Sequence, residues 1–280
     1  MRRVVLVGLG LMGGSIGAAL RQRLPDLEIV GVDRETVVFS EHARQLLTQA
    51  AAIESPHDVA KLASDADLVV LAMPVGEIAR QVTEWLRFGV PVTDCGSTKR
   101  VIVAAAQSSA NRDWFVPGHP MAGRERGGLS RSDGDLFRGR RWIVCPQSVR
   151  DRARQATESL VTLLDAIWTE MTPDEHDAVV ALTSHVPQIL ASWLAAAADE
   201  HILTAAGPAF SDMTRISGGS DAIWKDIFFT NGAAIADIMR ALAADFTAIA
   251  DQLGNMPPNL QRVLELLAAA RNRRANPGGN

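Results

Sequence analysis

The chain has no tyrosine among its 280 residues. No phenol is therefore available as an acid, a base or a stacking hydroxyl, and any proton transfer falls to His, a carboxylate, Lys or Cys. Two cysteines, Cys95 and Cys145, are too few for a disulfide framework or a cysteine-rich zinc site, so no metal is expected. A basic excess is missing too. Lys and Arg number 28 against 32 Asp and Glu, a net charge of −4, which argues against nucleic acid as a partner. No run of 18 apolar residues occurs, so no membrane span is expected. The opening MRRVVLVGLG has the basic start of a signal peptide, but glycines break its apolar run. These absences lead to the expectation of a soluble, cytoplasmic globular protein, and the length predicts about two domains.

What is present divides near residue 171. Before it, short β-branched runs alternate with helical stretches. Strands are expected at Val4–Val7, Glu28–Val32, Leu68–Ala72 and Val90–Thr93, with shorter ones at Phe115–Val116, Trp142–Cys145 and Ile167–Glu170. A helix is expected at Leu11–Arg23. Such alternation predicts an α/β domain over residues 1–171, with a mostly parallel sheet covered on both faces. Residues 172–280 read as all-helical. Thr172-Pro173-Asp174-Glu175 is a capping box opening a helix to about Glu200, with Pro187 as its kink. Ile235, Ile238, Met239, Leu242, Phe246, Ile249 and Leu253 recur at spacings of three and four, one apolar face over five turns. That face is either an intramolecular core or a subunit interface. A last helix follows Pro257-Pro258, and Arg271–Asn280 reads as a frayed tail.

Gly8-Leu9-Gly10-Leu11-Met12-Gly13 follows a strand and opens a helix. Gly8 permits the tight turn, Gly10 lets the backbone approach a pyrophosphate, and Gly13 lets the helix pack close to the sheet. The free N–H groups of the helix face the phosphates, where the Ser15 hydroxyl could join them. Asp33 lies 20 residues after Gly13, at the end of the second strand, where a carboxylate accepts from ribose hydroxyls. This is the pattern of a Rossmann-type dinucleotide-binding domain. Asp33 favours NAD, while Arg34 could pair with a 2′-phosphate and keeps NADP open. Met73 and Pro74 close the next central strand, at the carboxyl edge where ligands bind in such sheets. Ser97 follows the succeeding strand, where it either reaches the ligand or serves as a helix N-cap. His119 falls at the same edge and titrates in the range suited to taking a proton from a hydroxyl.

GLGLMGGSIG, DCGSTK, GHPMAGRERGG, the EHD…SHVP stretch and DMTRISGG occur together and in order. In this the chain resembles the prephenate and arogenate dehydrogenases of tyrosine biosynthesis over residues 1 to about 255. The resemblance implies oxidative decarboxylation of a cyclohexadienyl substrate with hydride transfer to NAD(P), giving 4-hydroxyphenylpyruvate from prephenate or tyrosine from arogenate. It implies that His119 accepts the C4 hydroxyl proton, that Ser97 orients that hydroxyl, and that Arg215 binds a substrate carboxylate, a role its planar fork suits. His185 is placed at the substrate pocket, Glu125 in a loop that could gate it, and Trp224 along its wall. Many prephenate-using members carry a second histidine where this chain has Gln188, which can accept from an ammonium, so arogenate or dual use is expected. Ser211 replaces a frequent arginine. A homodimer through the helical domain is expected. By the same resemblance, no chorismate mutase segment precedes Met1 and the tail is too short for an ACT-type domain, so tyrosine feedback is expected at the active site.

Three other readings stay open on sequence alone. A β-hydroxyacid dehydrogenase or imine reductase would need Lys225, the sole lysine after residue 171. A secondary-metabolism enzyme would act on a 4-amino analogue of prephenate. A non-catalytic NAD-sensing or scaffold protein would need no His119, Ser97 or Arg215.

Overall fold

The structure is a computed structural model and describes residues 1–124, 127–146 and 148–275. The chain divides into two compact units, Met1–Gly232 and Ala233–Asn280.

The strands are β1 (Arg3–Val7), β2 (Glu28–Asp33), β3 (Gln49–Ala52), β4 (Leu68–Leu71), β5 (Val92–Asp94), β6 (Phe115–Val116), β7 (Gly118–Pro120), β8 (Arg141–Val144) and β9 (Ile167–Glu170). The helices of the first part are α1 (Leu11–Arg23), α2 (Glu35–Val38), α3 (Glu41–Leu46), α4 (Pro56–Ala63), α5 (Val75–Leu86), α6 (Arg100–Ala106) and α7 (Asp151–Leu163). The chain continues as α8 (Pro173–Val180), α9 (Val186–Ala197), α10 (Glu200–Thr204), α11 (Pro208–Thr214), α12 (Asp221–Leu253) and α13 (Gln261–Ala275).

β1 to β6 form one parallel sheet in the order β3-β2-β1-β4-β5-β6. Val4 and Leu6 face the side covered by α1 and α7, whereas Val5 and Val7 face α4 and α5. All four are fully buried, which is why β1 reads as an unbroken apolar run rather than an alternating one. Burial of each such side chain is worth about 1.5–3 kcal/mol.

Several expectations shift. β3, with its Gln-Ala-Ala-Ala sequence, lacks the β-branched signal and is missed by sequence reading. β7, β8 and β9 form a separate sheet, β7 antiparallel to β8. His119 follows β6 as expected but lies within a further short strand, paired with Ile143. The expected helix from Thr172 to about Glu200 ends at Ala197, and its irregularity precedes Pro187. Ala181–His185 form a π-turn, and Pro187 sits in the first turn of α9. A proline lacks the N–H that an α-helix would use there, and the wider turn absorbs that loss. The helix α13 runs to Ala275, through part of the expected tail.

By length and composition alone, Pro173–Ala197 could cross a membrane. Its buried face, however, carries His176, Asp177, His185 and Gln188, which are hydrogen-bonded within the protein. In the second unit, Ile235 is buried, but Phe246 is 51% and Leu253 44% exposed. Within one chain the apolar stripe is thus not a closed core.

Candidate active site at the carboxyl edge of the sheet

The glycine turn after β1 has the geometry expected of a phosphate cradle. Gly8 has φ +93°, and a Cβ there would lie 2.6 Å from the carbonyl oxygen of Ala72. A Cβ on Gly13 would lie 1.9 Å from the carbonyl oxygen of Gly8. Around Gly10 a Cβ would meet nothing within 4 Å, so the approach to the backbone is open. Gly10 caps α1 without a side-chain hydrogen bond, leaving the first N–H groups of Leu11 and Met12 free to meet an anion. Asp33 accepts from the N–H of Leu9 at 2.6 Å and of Arg34 at 2.7 Å, so its carboxylate is fixed over the turn. The Arg34 guanidinium is 75% exposed and 3.9 Å from that carboxylate. Met73 borders Gly8, and Pro74 is the N-cap of α5. Ser15 has another task, since its buried hydroxyl accepts from the N–H of Asp133. A dinucleotide fits these residues.

A chain of buried and half-buried polar groups stands at the same edge. His119 Nδ1 is 2.8 Å from His176 Nε2, and His176 Nδ1 is 2.7 Å from Asp177 Oδ1. Asp177 also accepts from the N–H groups of Lys99 and Arg100 and from the Arg100 guanidinium. Burial alone would raise its pKa, but these donors, His176 foremost, hold it below the usual carboxylate range. A carboxylate only accepts, so His176 carries its proton on Nδ1. Burial, more than any charge, keeps His176 neutral, and its Nε2 then accepts from His119 Nδ1. Burial first, then the neighbouring His176, Lys99 and His185, press the His119 pKa well below 6.5. His119 is thereby a neutral imidazole with its lone pair on Nε2, the state a general base requires.

Lys99 and Asp94 form a fully buried ion pair, and Lys99 Nζ also donates to the carbonyl of Gly118 at 2.5 Å. Asp94 accepts in addition from the N–H groups of Gly96 and Gly118. This pair ties the end of β5 to the start of β7 and fixes the backbone beside His119. Such a pair is costly to break, because a lone buried charge remains.

His185 closes the π-turn. Its ring meets Trp224 edge to face at 6.0 Å, and Trp224 packs on Phe228. Burial pushes its pKa down to about 4. Gln188, one turn on, is buried and donates to Ser192 Oγ at 3.4 Å. Arg215 is exposed and opens a 3₁₀ turn, Arg215–Gly218, that packs on α9. Ser97 is half-buried between β5 and α6. It is not a helix cap, because α6 begins at Arg100 after Lys99. Among the described residues no hydrogen bond joins Ser97 to His119. Glu125 lies outside the described residues. Lys225 is exposed on the first turn of α12. Among the described residues no cluster of three or more His, Cys, Asp or Glu could hold a metal.

Sequence reasoning assigned no role to His176, Asp177, Lys99, Arg100 or Asn231. The signal for the first two was the His-Asp pair inside the capping-box helix. A tandem of polar residues on the face a capped helix turns inward has to be hydrogen-bonded there.

The parallel sheet, glycine turn and fixed Asp33 define a dinucleotide-binding α/β protein. The family model of the prephenate dehydrogenase nucleotide-binding domain matches residues 16–170, and that of the prephenate dehydrogenase dimerization domain matches residues 172–266. The chain belongs to the prephenate dehydrogenase family. It is 33% identical to the prephenate dehydrogenase of Lactococcus lactis subsp. cremoris over 244 residues, which cover 82% of this chain and 65% of that protein, a little under two thirds of its length. It is 28% identical to the cyclohexadienyl dehydrogenase of Zymomonas mobilis over 275 residues, covering 91% of this chain and 90% of that one. The crystal structure of Synechocystis arogenate dehydrogenase superposes with a TM-score of 0.75 at 26% identity, covering 97% of this chain and 99% of that one.

Proposed function

We propose that the chain is an NAD-dependent cyclohexadienyl dehydrogenase that converts arogenate, prephenate or both by oxidative decarboxylation. The observation that carries this reading is the Asp177–His176–His119 relay, which presents an unprotonated imidazole nitrogen at the edge where the dinucleotide cradle opens. When bound, the nicotinamide cofactor supplies the acceptor for the hydride leaving ring C4. His119 Nε2 takes the proton of the C4 hydroxyl, and the C4 oxygen becomes the phenolic oxygen of the product as the ring carboxylate departs as carbon dioxide. As positive charge arrives on His119, His176 accepts from its Nδ1–H and Asp177 stabilises the pair. Ser97 orients the hydroxyl, and Arg215 binds a substrate carboxylate.

In this reading, residues 1–171 hold the dinucleotide, while residues 172–280 supply the substrate wall and the dimer contact of a cytoplasmic homodimer. The exposed Phe246 and Leu253 support that contact. Asp33, already fixed by two backbone donors, favours NAD, and the solvated Arg34 leaves NADP as the weaker cofactor. Gln188 is buried and neutral, which favours a substrate bearing an ammonium over strict use of prephenate. The test is a side-by-side assay of prephenate and arogenate, each with NAD and NADP. The expected result is the highest kcat/KM with arogenate and NAD. Absence of turnover with both substrates overturns the reading.

A further inference from the structure

Asn231 occupies the break in α12, where φ is −128° and ψ is 16°. The break turns its side chain into the polar cluster, where it is buried. Asn231 Oδ1 accepts from the Arg100 guanidinium at 2.7 Å. Asn231 Nδ2 donates to the carbonyl of Asp177 at 2.8 Å and stands 3.2 Å from His185 Nδ1. A guanidinium only donates and a peptide carbonyl only accepts, so both ends of the amide are assigned by their partners. The second Nδ2 proton then points at His185 Nδ1, which has to be the bare nitrogen. The ring's single proton is left on Nε2. Among the described residues, the buried polar side-chain atoms without a partner are Asp113 Oδ1 and Trp142 Nε1. His185 Nε2 is not one of them and has no protein partner among the described residues, so it is open to a ligand.

We propose that Asn231, held by Arg100, is a positioning residue that fixes His185 as its Nε2–H tautomer and makes it a hydrogen-bond donor to a carboxylate or ketone oxygen of the substrate. The two imidazoles then have opposite polarity, since His119 Nε2 accepts and His185 Nε2 donates. A ligand with a hydroxyl toward His119 and an oxygen acceptor toward His185 satisfies both, whereas the reverse orientation sets the bare Nε2 of His119 against another acceptor. The tautomer follows from hydrogen-bond polarity alone, whereas the substrate's part in it rests on the function proposed above.

The test is long-range ¹H–¹⁵N correlation spectroscopy of the full chain labelled at histidine, with the His185 signals identified by their loss in His185→Gln. At neutral pH the His185 proton is expected on Nε2. In Asn231→Asp, an acceptor faces Nδ1, and the proton is expected to move there. KM for the cyclohexadienyl substrate is expected to rise about tenfold to hundredfold, the loss of one hydrogen bond to a charged group, with a smaller change in kcat. A wild-type His185 protonated on Nδ1 overturns the proposal, whether or not the variant folds. An unchanged proton position in a variant that still binds NAD overturns it too. If both spectra behave as expected but neither prephenate nor arogenate is turned over, the lock stands and the proposed function falls.

Discussion

Replacing His176 by Phe tests the relay most directly. The phenyl ring fills a similar buried volume but can neither accept from His119 nor donate to Asp177. In the native site, the His119 Nδ1–H has a partner at 2.8 Å. Without it, the tautomer that keeps Nε2 bare has to bury an unsatisfied N–H, at a cost of about 1–3 kcal/mol. His119 escapes that cost by moving its proton to Nε2, which removes the base. The active tautomer then falls about fivefold to 150-fold, and kcat/KM falls with it. Asp177 retains the N–H groups of Lys99 and Arg100 and the Arg100 guanidinium. Stability should therefore drop by only the ~1.5–3 kcal/mol of one charge-assisted hydrogen bond, measured as a shift of the urea midpoint. The NAD dissociation constant should stay within about twofold, since the glycine turn and Asp33 are untouched. The assay is steady-state absorbance of the reduced cofactor, paired with tautomer assignment at His119 by nitrogen NMR. A variant that keeps kcat/KM within threefold of wild type, with the His119 proton still on Nδ1, would refute the relay.

Three further outcomes are expected. The acid limb of log kcat/KM should lie below 6.5, because burial first, and then His176, Lys99 and His185, lower the His119 pKa; a limb at or above 6.5 contradicts the base assignment. Stability should be highest above pH 6.5 and fall on acidification toward pH 4, because the unfolded chain binds protons at His176 and His185 that the folded chain does not. Thermal melts that are flat across that window would show these rings to be solvated. Gly13→Ala should lower Tm and abolish tight NAD binding, since its Cβ would lie 1.9 Å from the Gly8 carbonyl oxygen and the backbone would have to move; calorimetric titration with NAD checks this.

The nucleotide-binding half was legible because its signals are local. The apolar run of β1, the glycines and Asp33 stand at fixed short spacings, and the turn geometry matches them. β3 escaped because Ala carries no strand signal. The site was legible in part. His119 stands out by its place at the carboxyl edge, and His185 through the resemblance carried by its SHVP motif. The partners that would make them a base and a donor lie 57 and 46 residues away along the chain, in His176 and Asn231. Hydrogen-bond polarity at such separations leaves no periodic trace. Lys99 and Asp94 escaped for another reason. A Lys after a strand reads as solvated, and only the packing of β7 across β5 shows that the pair is buried.

The π-turn at Ala181–His185 has a consequence for how this site tolerates change. In an unbroken α-helix, nine residues separate His176 from His185 by about 900°, which is opposite faces. One extra residue in a turn sets everything beyond it back by about 100°. The wide turn thus acts as an angular spacer, bringing His185 and Gln188 round toward the face that carries His176 and Asp177. Substitutions within Ala181–His185 would leave that phase intact. Deletion of one residue between Ala181 and Ser184 would close the wide turn into a regular one. Eight residues at about 100° each give the same phase, so His185 would keep its bearing on His176, whereas the same deletion elsewhere between them, in regular helix, would rotate it by about 100°.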